Sequence, residues 1–305
     1  MESFNTAFSV GDAAITWNAV MLALGVLTAV VVSEILVKKR KAYKDLALDA
    51  CIVGILAGLL GARLFSALSG KIQFSQFFTL SSQGLNLPGA LLFSGAAIVV
   101  YARIKKLDIA ESVEILLPGV FFGLAVGRWS DFFLCEGVGA IAGESVPKFF
   151  PLVTFTKSYF NDGRTVAYAI FFLDFLVCIS LGVLAMLLPK KTEKGKTARI
   201  TIIAYLFAEF ILEWLRRGTE QDGTLRETVF GVRFNQIVLM AMLLFFVGLS
   251  LYRTRQSANR PKEPSDPEPQ PEDPEESEIT EEAEDREAEK KQETPEAAEE
   301  DCGEE

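Results

Sequence analysis

Residues 15–41 read ITWNAVMLALGVLTAVVVSEILVKKRK, an apolar run that ends in four consecutive basic residues. A helix needs about 20 apolar residues to cross the hydrocarbon core of a bilayer, and Ile15–Val37 supplies that length. The residues before it lack the basic start of a secretory signal, so we interpret the run as an uncleaved helix. Because Lys and Arg collect in short cytoplasmic loops, this stretch predicts a membrane-spanning helix whose carboxyl end faces the cytoplasm.

The same pattern recurs along the chain. Seven stretches have the composition of membrane spans, although the third and sixth are short: Ile15–Val37, Ala47–Leu68, Asn86–Tyr101, Ser112–Leu134, Val166–Leu188, Ile200–Leu215 and Phe234–Tyr252. Basic clusters follow the odd-numbered stretches, at Lys38–Lys41, Arg103–Lys106, Lys190–Lys196 and Arg253–Arg255. The pattern predicts an all-α integral membrane protein with seven helices, its amino terminus outside and its carboxyl terminus in the cytoplasm.

The charge of the chain is unevenly distributed. The chain is 50% hydrophobic but has a formal net charge of −10. The last 50 residues hold 21 acidic and 5 basic residues, so the rest of the chain is slightly basic. A segment rich in Pro, Glu and Asp cannot bury enough apolar surface to fold. We therefore predict a membrane domain at residues 1–255 and a disordered, acidic cytoplasmic tail at residues 256–305. The overall acidity then indicates no particular partner, and we expect no nucleic acid to bind.

Three arginines stand out because ionisable residues inside membrane helices are costly and usually functional. Arg63 and Arg128 lie late in the second and fourth predicted helices, and Arg216 lies at the end of the sixth. Since these helices all run outward, the three side chains converge near the outer leaflet. Guanidinium groups can bind two phosphate oxygens at once. The pattern favours an anion site for a phospholipid headgroup, although each arginine could instead extend to the interface or pair with an acid.

Acidic residues also lie within the predicted helices. Asp174 lies within the fifth predicted helix and should face the bundle interior. Glu209, Glu213 and Arg216 are spaced to share one face of the sixth helix. Glu213 could serve chemistry, or it could hold a neighbouring arginine in place; the sequence leaves both interpretations open.

Three short motifs carry a family resemblance. Gly61–Leu64 (GARL) resembles a Gly-Gly-Arg-Leu motif, and Gly127–Phe132 (GRWSDF) with Glu136 resembles Gly-Arg-Ile-Gly-Asn-Phe-Ile-Asn-Gly-Glu. Glu213–Arg216 (EWLR) is similar to a late Glu-Phe-Phe-Arg. These motifs, in this order, are those of the prolipoprotein diacylglyceryl transferases, and the resemblance covers about Ala13–Arg255.

The resemblance implies a transferase of the bacterial plasma membrane. Such an enzyme moves the diacylglyceryl group of phosphatidylglycerol to the lipobox cysteine in the signal peptide of a preprolipoprotein, at the outer leaflet. It implies no cofactor and no metal. By position, Arg63, Arg128 and Arg216 would bind the lipid phosphate. Arg128, Asp131 and Glu136 would be the catalytic residues.

The chain departs from the family pattern at its expected base. It contains no histidine, and Pro88 stands where the family has a histidine in Ser-Phe-His-Gly-Gly. The signature asparagine is Asp131 here. Proton removal would then fall to Glu136, Asp131 or water. An alternative is a catalytically altered relative that binds or senses an anionic phospholipid; a transporter is a third hypothesis, for which the sequence shows no internal repeat.

Overall fold

Apolar runs of the sequence form long helices, and short strand pairs lie between some of them. The computed structural model describes residues 6–10, 13–70, 72–73, 75, 77–78, 85–134, 137–143, 145–157, 164–188, 195–216, 228–229 and 232–258. The helices are α1 (Trp17–Arg40), α2 (Leu46–Leu68), α3 (Leu87–Ile104), α4 (Ile109–Gly127), α5 (Trp129–Leu134), α6 (Ile170–Leu187), α7 (Lys196–Leu215) and α8 (Phe234–Ala258). The strands are β1 (Thr6–Val10), β2 (Ala13–Thr16), β3 (Val153–Lys157), β4 (Arg164–Tyr168), β5 (Thr228–Val229) and β6 (Val232–Arg233).

Helices long and apolar enough to cross a membrane number six among the described residues: α1, α2, α3, α4 with α5, α6, and α8 to Gln256. They confirm a helical, multi-pass membrane protein. The sixth predicted stretch, Ile200–Leu215, lies within α7. That helix is not among the six, because it also contains Lys196, Arg199, Glu209 and Glu213. The seventh span, the orientation and the disordered tail remain predictions, and residues 259–305 lie outside the described residues.

Small residues allow α1 and α4 to approach closely. A Cβ added at Gly25 of α1 would lie 2.7 Å from the carbonyl oxygen of Gly123 in α4. One added at Gly119 would lie 2.6 Å from the carbonyl oxygen of Ala29. Small residues drive helix association in lipid because van der Waals contact there replaces the hydrophobic effect. This contact fixes α4, which carries Arg128 at its carboxyl end.

Further helices also pack side by side. α2 lies along α3, where Gly61 and Gly89 face each other and an added Cβ at Gly61 would lie 2.5 Å from the Gly89 carbonyl oxygen. α6 packs against both α4 and α7. A buried core joins these helices around Phe121, Leu181 and Leu206. The packing brings the ends of α4, α6 and α7 into one region.

The described strands form three antiparallel pairs, β1 with β2, β3 with β4, and β5 with β6. The sequence predicted helix from Val166, but helix α6 begins at Ile170, and the residues before it form β4. Val166 pairs with Phe155 of β3, and the backbone of Ala142 donates to the Val166 carbonyl. Backbone hydrogen bonding to two neighbouring segments therefore overrides the apolar pattern at these positions.

Candidate functional site

Arg128 lies between α4 and α5 and is buried, with 8% of its surface exposed. Its Nη2 donates to Glu209 Oε1 of α7 at 2.6 Å. Its Nη1 lies 3.7 Å from Asp131 Oδ2 and 3.8 Å from Asp174 Oδ2. A buried guanidinium is stabilised only if opposite charges and hydrogen bonds replace its water. Arg128 obtains them from α5, α6 and α7.

Arg216 directly follows α7 and shares two of these partners. Its Nη2 donates to Asp174 and, at 3.1 Å, to Glu209 Oε1. Its Nη1 donates to Glu213 Oε2 at 2.6 Å. Glu209 therefore accepts hydrogen bonds from both arginines through one oxygen, and Asp174 lies close to both. The two arginines are held side by side by shared carboxylates.

We call this set the ion-pair cluster. It consists of Arg128, Asp131, Asp174, Glu209, Glu213 and Arg216. Asp174, Glu209 and Glu213 are almost fully buried, whereas the Asp131 side chain is 22% exposed. Formally the cluster has four carboxylates and two guanidiniums. Asp131 is therefore the most exposed carboxylate of the cluster.

Some polar atoms of the ion-pair cluster have no hydrogen-bond partner within the described structure. They are Arg128 Nε, Arg216 Nε and Asp174 Oδ1, and all three are buried. Buried polar groups are usually satisfied, so such atoms often indicate a ligand or strain. Both guanidiniums thus retain a donor that a phosphate oxygen could use.

Polar side chains from α3 and α8 extend the ion-pair cluster. Asn235 Nδ2 donates to Glu213 Oε1 at 3.3 Å, and Asn86 Nδ2 donates to Asn235 Oδ1 at 2.6 Å. Asn86 also caps α3, because its Oδ1 accepts from the Gly89 backbone. The Asn86 backbone donates to the Ala62 carbonyl of α2 at 3.3 Å. One chain of hydrogen bonds thus runs from the GARL motif of α2 to Glu213.

The structure brings together some of the predicted site residues. Arg128, Asp131 and Arg216 meet in the ion-pair cluster, and Asp174 faces the interior as predicted. Arg63 is partly buried near the end of α2. Glu136 lies outside the described residues. Roles in catalysis or binding remain predictions for all of them.

The sequence did not predict Arg233, Asn235 or Asn86 as part of the site. Arg233 directly precedes the seventh predicted helix, so by the predicted topology it lies at the same outer level as the three arginines considered. That position was the available signal. Asn86 and Asn235 gave none, because neutral amides at helix starts are common caps.

Aromatic residues cover another face of α5. Trp129 packs against Phe171, Phe172 and Phe175 of α6. A mostly apolar cavity of about 330 Å³ lies beside Trp129 and Phe132, with Lys148 in its wall. The short helix α5 thus presents Asp131 to the ion-pair cluster, next to Arg128 before it, and two aromatic rings to an apolar cavity.

A buried ion-pair cluster between several apolar helices defines an integral, multi-pass membrane protein with a polar site in its helical core. The family model for prolipoprotein diacylglyceryl transferase matches residues 5–252. The chain therefore belongs to this transferase family, as its motifs indicated.

Named relatives agree with the family assignment. A phosphatidylglycerol–prolipoprotein diacylglyceryl transferase of Clostridium kluyveri is 27% identical over 255 residues, which cover 80% of this chain and 92% of the relative. An enzyme of the same name from Clostridium botulinum strain Loch Maree is 28% identical over 229 residues, covering 72% of this chain and 88% of the relative.

Proposed function

We propose that this protein transfers the diacylglyceryl group of phosphatidylglycerol to the cysteine thiol of a prolipoprotein lipobox at the outer leaflet. One observation supports this proposal most. Arg128 and Arg216 match two family motifs, and they share Glu209 and Asp174 as partners in one buried cluster. The family and the names of its relatives support phosphatidylglycerol and a prolipoprotein as substrates.

The reaction requires one bond to form and one to break. The thiolate sulfur attacks the glyceryl carbon that carries the phosphate. A carbon–sulfur bond forms, and the carbon–oxygen bond to the phosphate breaks, with its electron pair passing to the phosphate oxygen. Glycerol phosphate leaves, and the proton lost by the thiol balances the charge. The protein must therefore stabilise phosphate charge and accept a proton.

Arginine donors supply the stabilisation of charge. Arg128 Nε and Arg216 Nε have no hydrogen-bond partner among the described residues, and the contacts of Arg128 Nη1 with Asp131 and Asp174 are 3.7 and 3.8 Å long. Donors held in place before the reaction stabilise developing charge without reorganisation. We assign these donors to the phosphate, with Arg63 as a further binding residue by its motif.

Asp131 is the proposed acceptor of the thiol proton. It is the most exposed carboxylate among the ion pairs of the cluster, and its contact with Arg128 at 3.7 Å is longer than a hydrogen bond. A carboxylate less tightly held by arginine is more available as a base. Gly137, in the left-handed region at φ 63°, packs beside it: a Cβ there would lie 2.8 Å from Asp131 Oδ2. Glu136 remains a proposed catalytic residue from its motif.

The test is transfer of labelled diacylglyceryl from phosphatidylglycerol vesicles to a peptide that contains a lipobox cysteine. We expect the purified full-length protein to transfer the label and Arg128→Lys to lose most of the rate. Lysine keeps the charge but cannot reproduce the planar fork of donors. Arg103→Lys is the matched control, because Arg103 is exposed at the end of α3. A folded parent protein that transfers nothing to any such peptide would overturn the proposal.

A second candidate function is binding of an anionic phospholipid without transfer. The absence of histidine from the chain favours it, together with the engagement of both arginines by carboxylates. It predicts phosphatidylglycerol binding that weakens in Arg128→Lys while the parent shows no product. Product formation by the parent protein would exclude it.

A further inference from the structure

We propose that Arg233 is a positioning residue for Arg216. Its Nη1 donates to the Glu213 carbonyl and its Nη2 to the Arg216 carbonyl, both at 2.6 Å. Arg233 thus bonds the backbone of the two residues at the end of α7 whose side chains belong to the ion-pair cluster. The inference rests on the proposed function, in which Arg216 binds the lipid phosphate.

Arg233 is itself firmly placed. It ends strand β6 and pairs with Thr228 of β5. Its backbone N–H donates to Gln236 Oε1 at 3.3 Å, as in the capping box at a helix start. Asn235, two residues later, donates to the Glu213 side chain. Arg233 therefore bonds the backbone carbonyl of Glu213, and Asn235 in the first turn of α8 bonds its carboxylate.

A guanidinium suits this contact for two reasons. The last carbonyls of a helix have no intrahelical donor, and Arg233 bonds two carbonyls that lie one turn apart. Its fork of parallel donors can hold both, whereas a lysine ammonium is a flexible point donor. Its charge also opposes the negative carboxyl end of the helix dipole. The Arg216 backbone is thereby fixed at the point where its side chain enters the ion-pair cluster.

Arg233 could instead only stabilise the fold, and the two roles differ in a double-mutant cycle. If Arg233 acts through Arg216, removing it should matter little once Arg216 is altered. If it only stabilises the fold, the activity per folded molecule should not change at all. If it binds substrate directly, the two substitutions should act independently.

The experiment compares the parent, Arg233→Met, Arg233→Lys, Arg216→Lys and the double variant Arg216→Lys/Arg233→Met in the transfer assay, per folded protein. We expect Arg233→Met to lower kcat/KM by about ten- to a hundredfold, the scale of lost charged hydrogen bonds, with Arg233→Lys in between. In the Arg216→Lys background, the same change should cost less than about twofold. Arg253→Met is the control, because Arg253 is exposed at the far end of α8. Equal losses in both backgrounds, or no loss in the first, would overturn the inference.

A second measurement separates this inference from the proposed function. Backbone amide hydrogen exchange over residues 209–216 should rise in Arg233→Met and stay unchanged in Arg253→Met, whether or not the protein transfers lipid. A parent protein that transfers no lipid but shows this exchange pattern contradicts the proposed function and still supports the positioning of the end of α7 by Arg233. Unchanged amide exchange in Arg233→Met refutes the positioning role of Arg233, whatever the transfer activity is.

Discussion

Glu209 and Asp131 differ in how tightly arginine holds them. Glu209 is 3% exposed and accepts from Arg128 and Arg216, whereas the Asp131 side chain is 22% exposed and lies 3.7 Å from Arg128. The carboxylate of Glu209 is thus enclosed by arginines, whereas the carboxylate of Asp131 is more accessible. Isosteric amide substitutions should separate these roles.

We expect Glu209→Gln to lower protein stability more than Asp131→Asn does. Loss of charged hydrogen bonds at a buried site costs about 1.5–3 kcal/mol. A long, partly exposed ion pair contributes less than about 1 kcal/mol. Thermal unfolding midpoints in one detergent would measure the difference. Equal shifts for the two variants would contradict the contrast in environment.

Asp131→Asn should instead act on the chemical step. It restores the asparagine of the family signature in a chain without histidine, so the proposed proton acceptor is lost. We expect kcat to fall by about a hundredfold or more, the scale for a general base, while binding of phosphatidylglycerol is retained. Transfer kinetics with a binding assay would show this. Unchanged kcat would move the base to Glu136 or to water.

Among the elements, α1 and α4 depend on glycine for their contact. The added Cβ of Gly25→Ala would meet the Gly123 carbonyl at 2.7 Å and the Gly127 backbone nitrogen at 3.1 Å. Gly127 precedes Arg128, so a shift of α4 should reach the ion-pair cluster. The close contact between α1 and α4 therefore helps to set the position of Arg128 in the site.

Gly25→Ala should therefore lower both the unfolding midpoint and transfer. Overpacking of a close contact costs about 1–3 kcal/mol. Gly95→Ala on α3 is the matched control, since nothing lies within 4 Å of its added Cβ. Alanine there should be neutral or stabilising by up to about 1 kcal/mol, from helix propensity. Equal behaviour of the two variants would show that the interface adapts.

Sequence periodicity and charge located most of the ion-pair cluster but not its support. The spacing of Glu209, Glu213 and Arg216 placed them on one face, and Asp174 was expected inside, because charges within apolar helices seek partners. The bonds from Arg233 end on backbone carbonyls, which every residue has, so no sequence pattern marks them. The β4 residues Val166–Tyr168 were assigned to a helix because apolar, β-branched and aromatic residues suit a membrane span and a strand alike.

On the scale of the whole molecule, α7 decides the number of spans. Its composition alone leaves it outside the clearly apolar helices, yet Glu209 and Glu213 are paired with arginine. Pairing lowers the cost of placing such residues in a membrane. We therefore retain the proposal that α7 spans the membrane.

Labelling of single cysteines in intact cells tests this topology. With the four native cysteines replaced by serine, Gln221→Cys should react with a membrane-impermeant maleimide from outside. Lys41→Cys should react only after permeabilisation, because it follows the basic end of α1. If Gln221→Cys also requires permeabilisation, α7 does not cross, and the predicted orientation of the last helices is wrong.

The hydrogen bonds from Arg233 to the end of α7 also have a consequence for biogenesis. Arg233 directly precedes α8 and Asn235 lies in its first turn, so translation supplies both after all six residues of the ion-pair cluster. A nascent chain that stalls before Arg233 would insert most of its helices. The end of α7 would then lack the hydrogen bonds that Arg233 and Asn235 donate. We expect transfer activity to appear only late in synthesis, after α8 has reached the translocon.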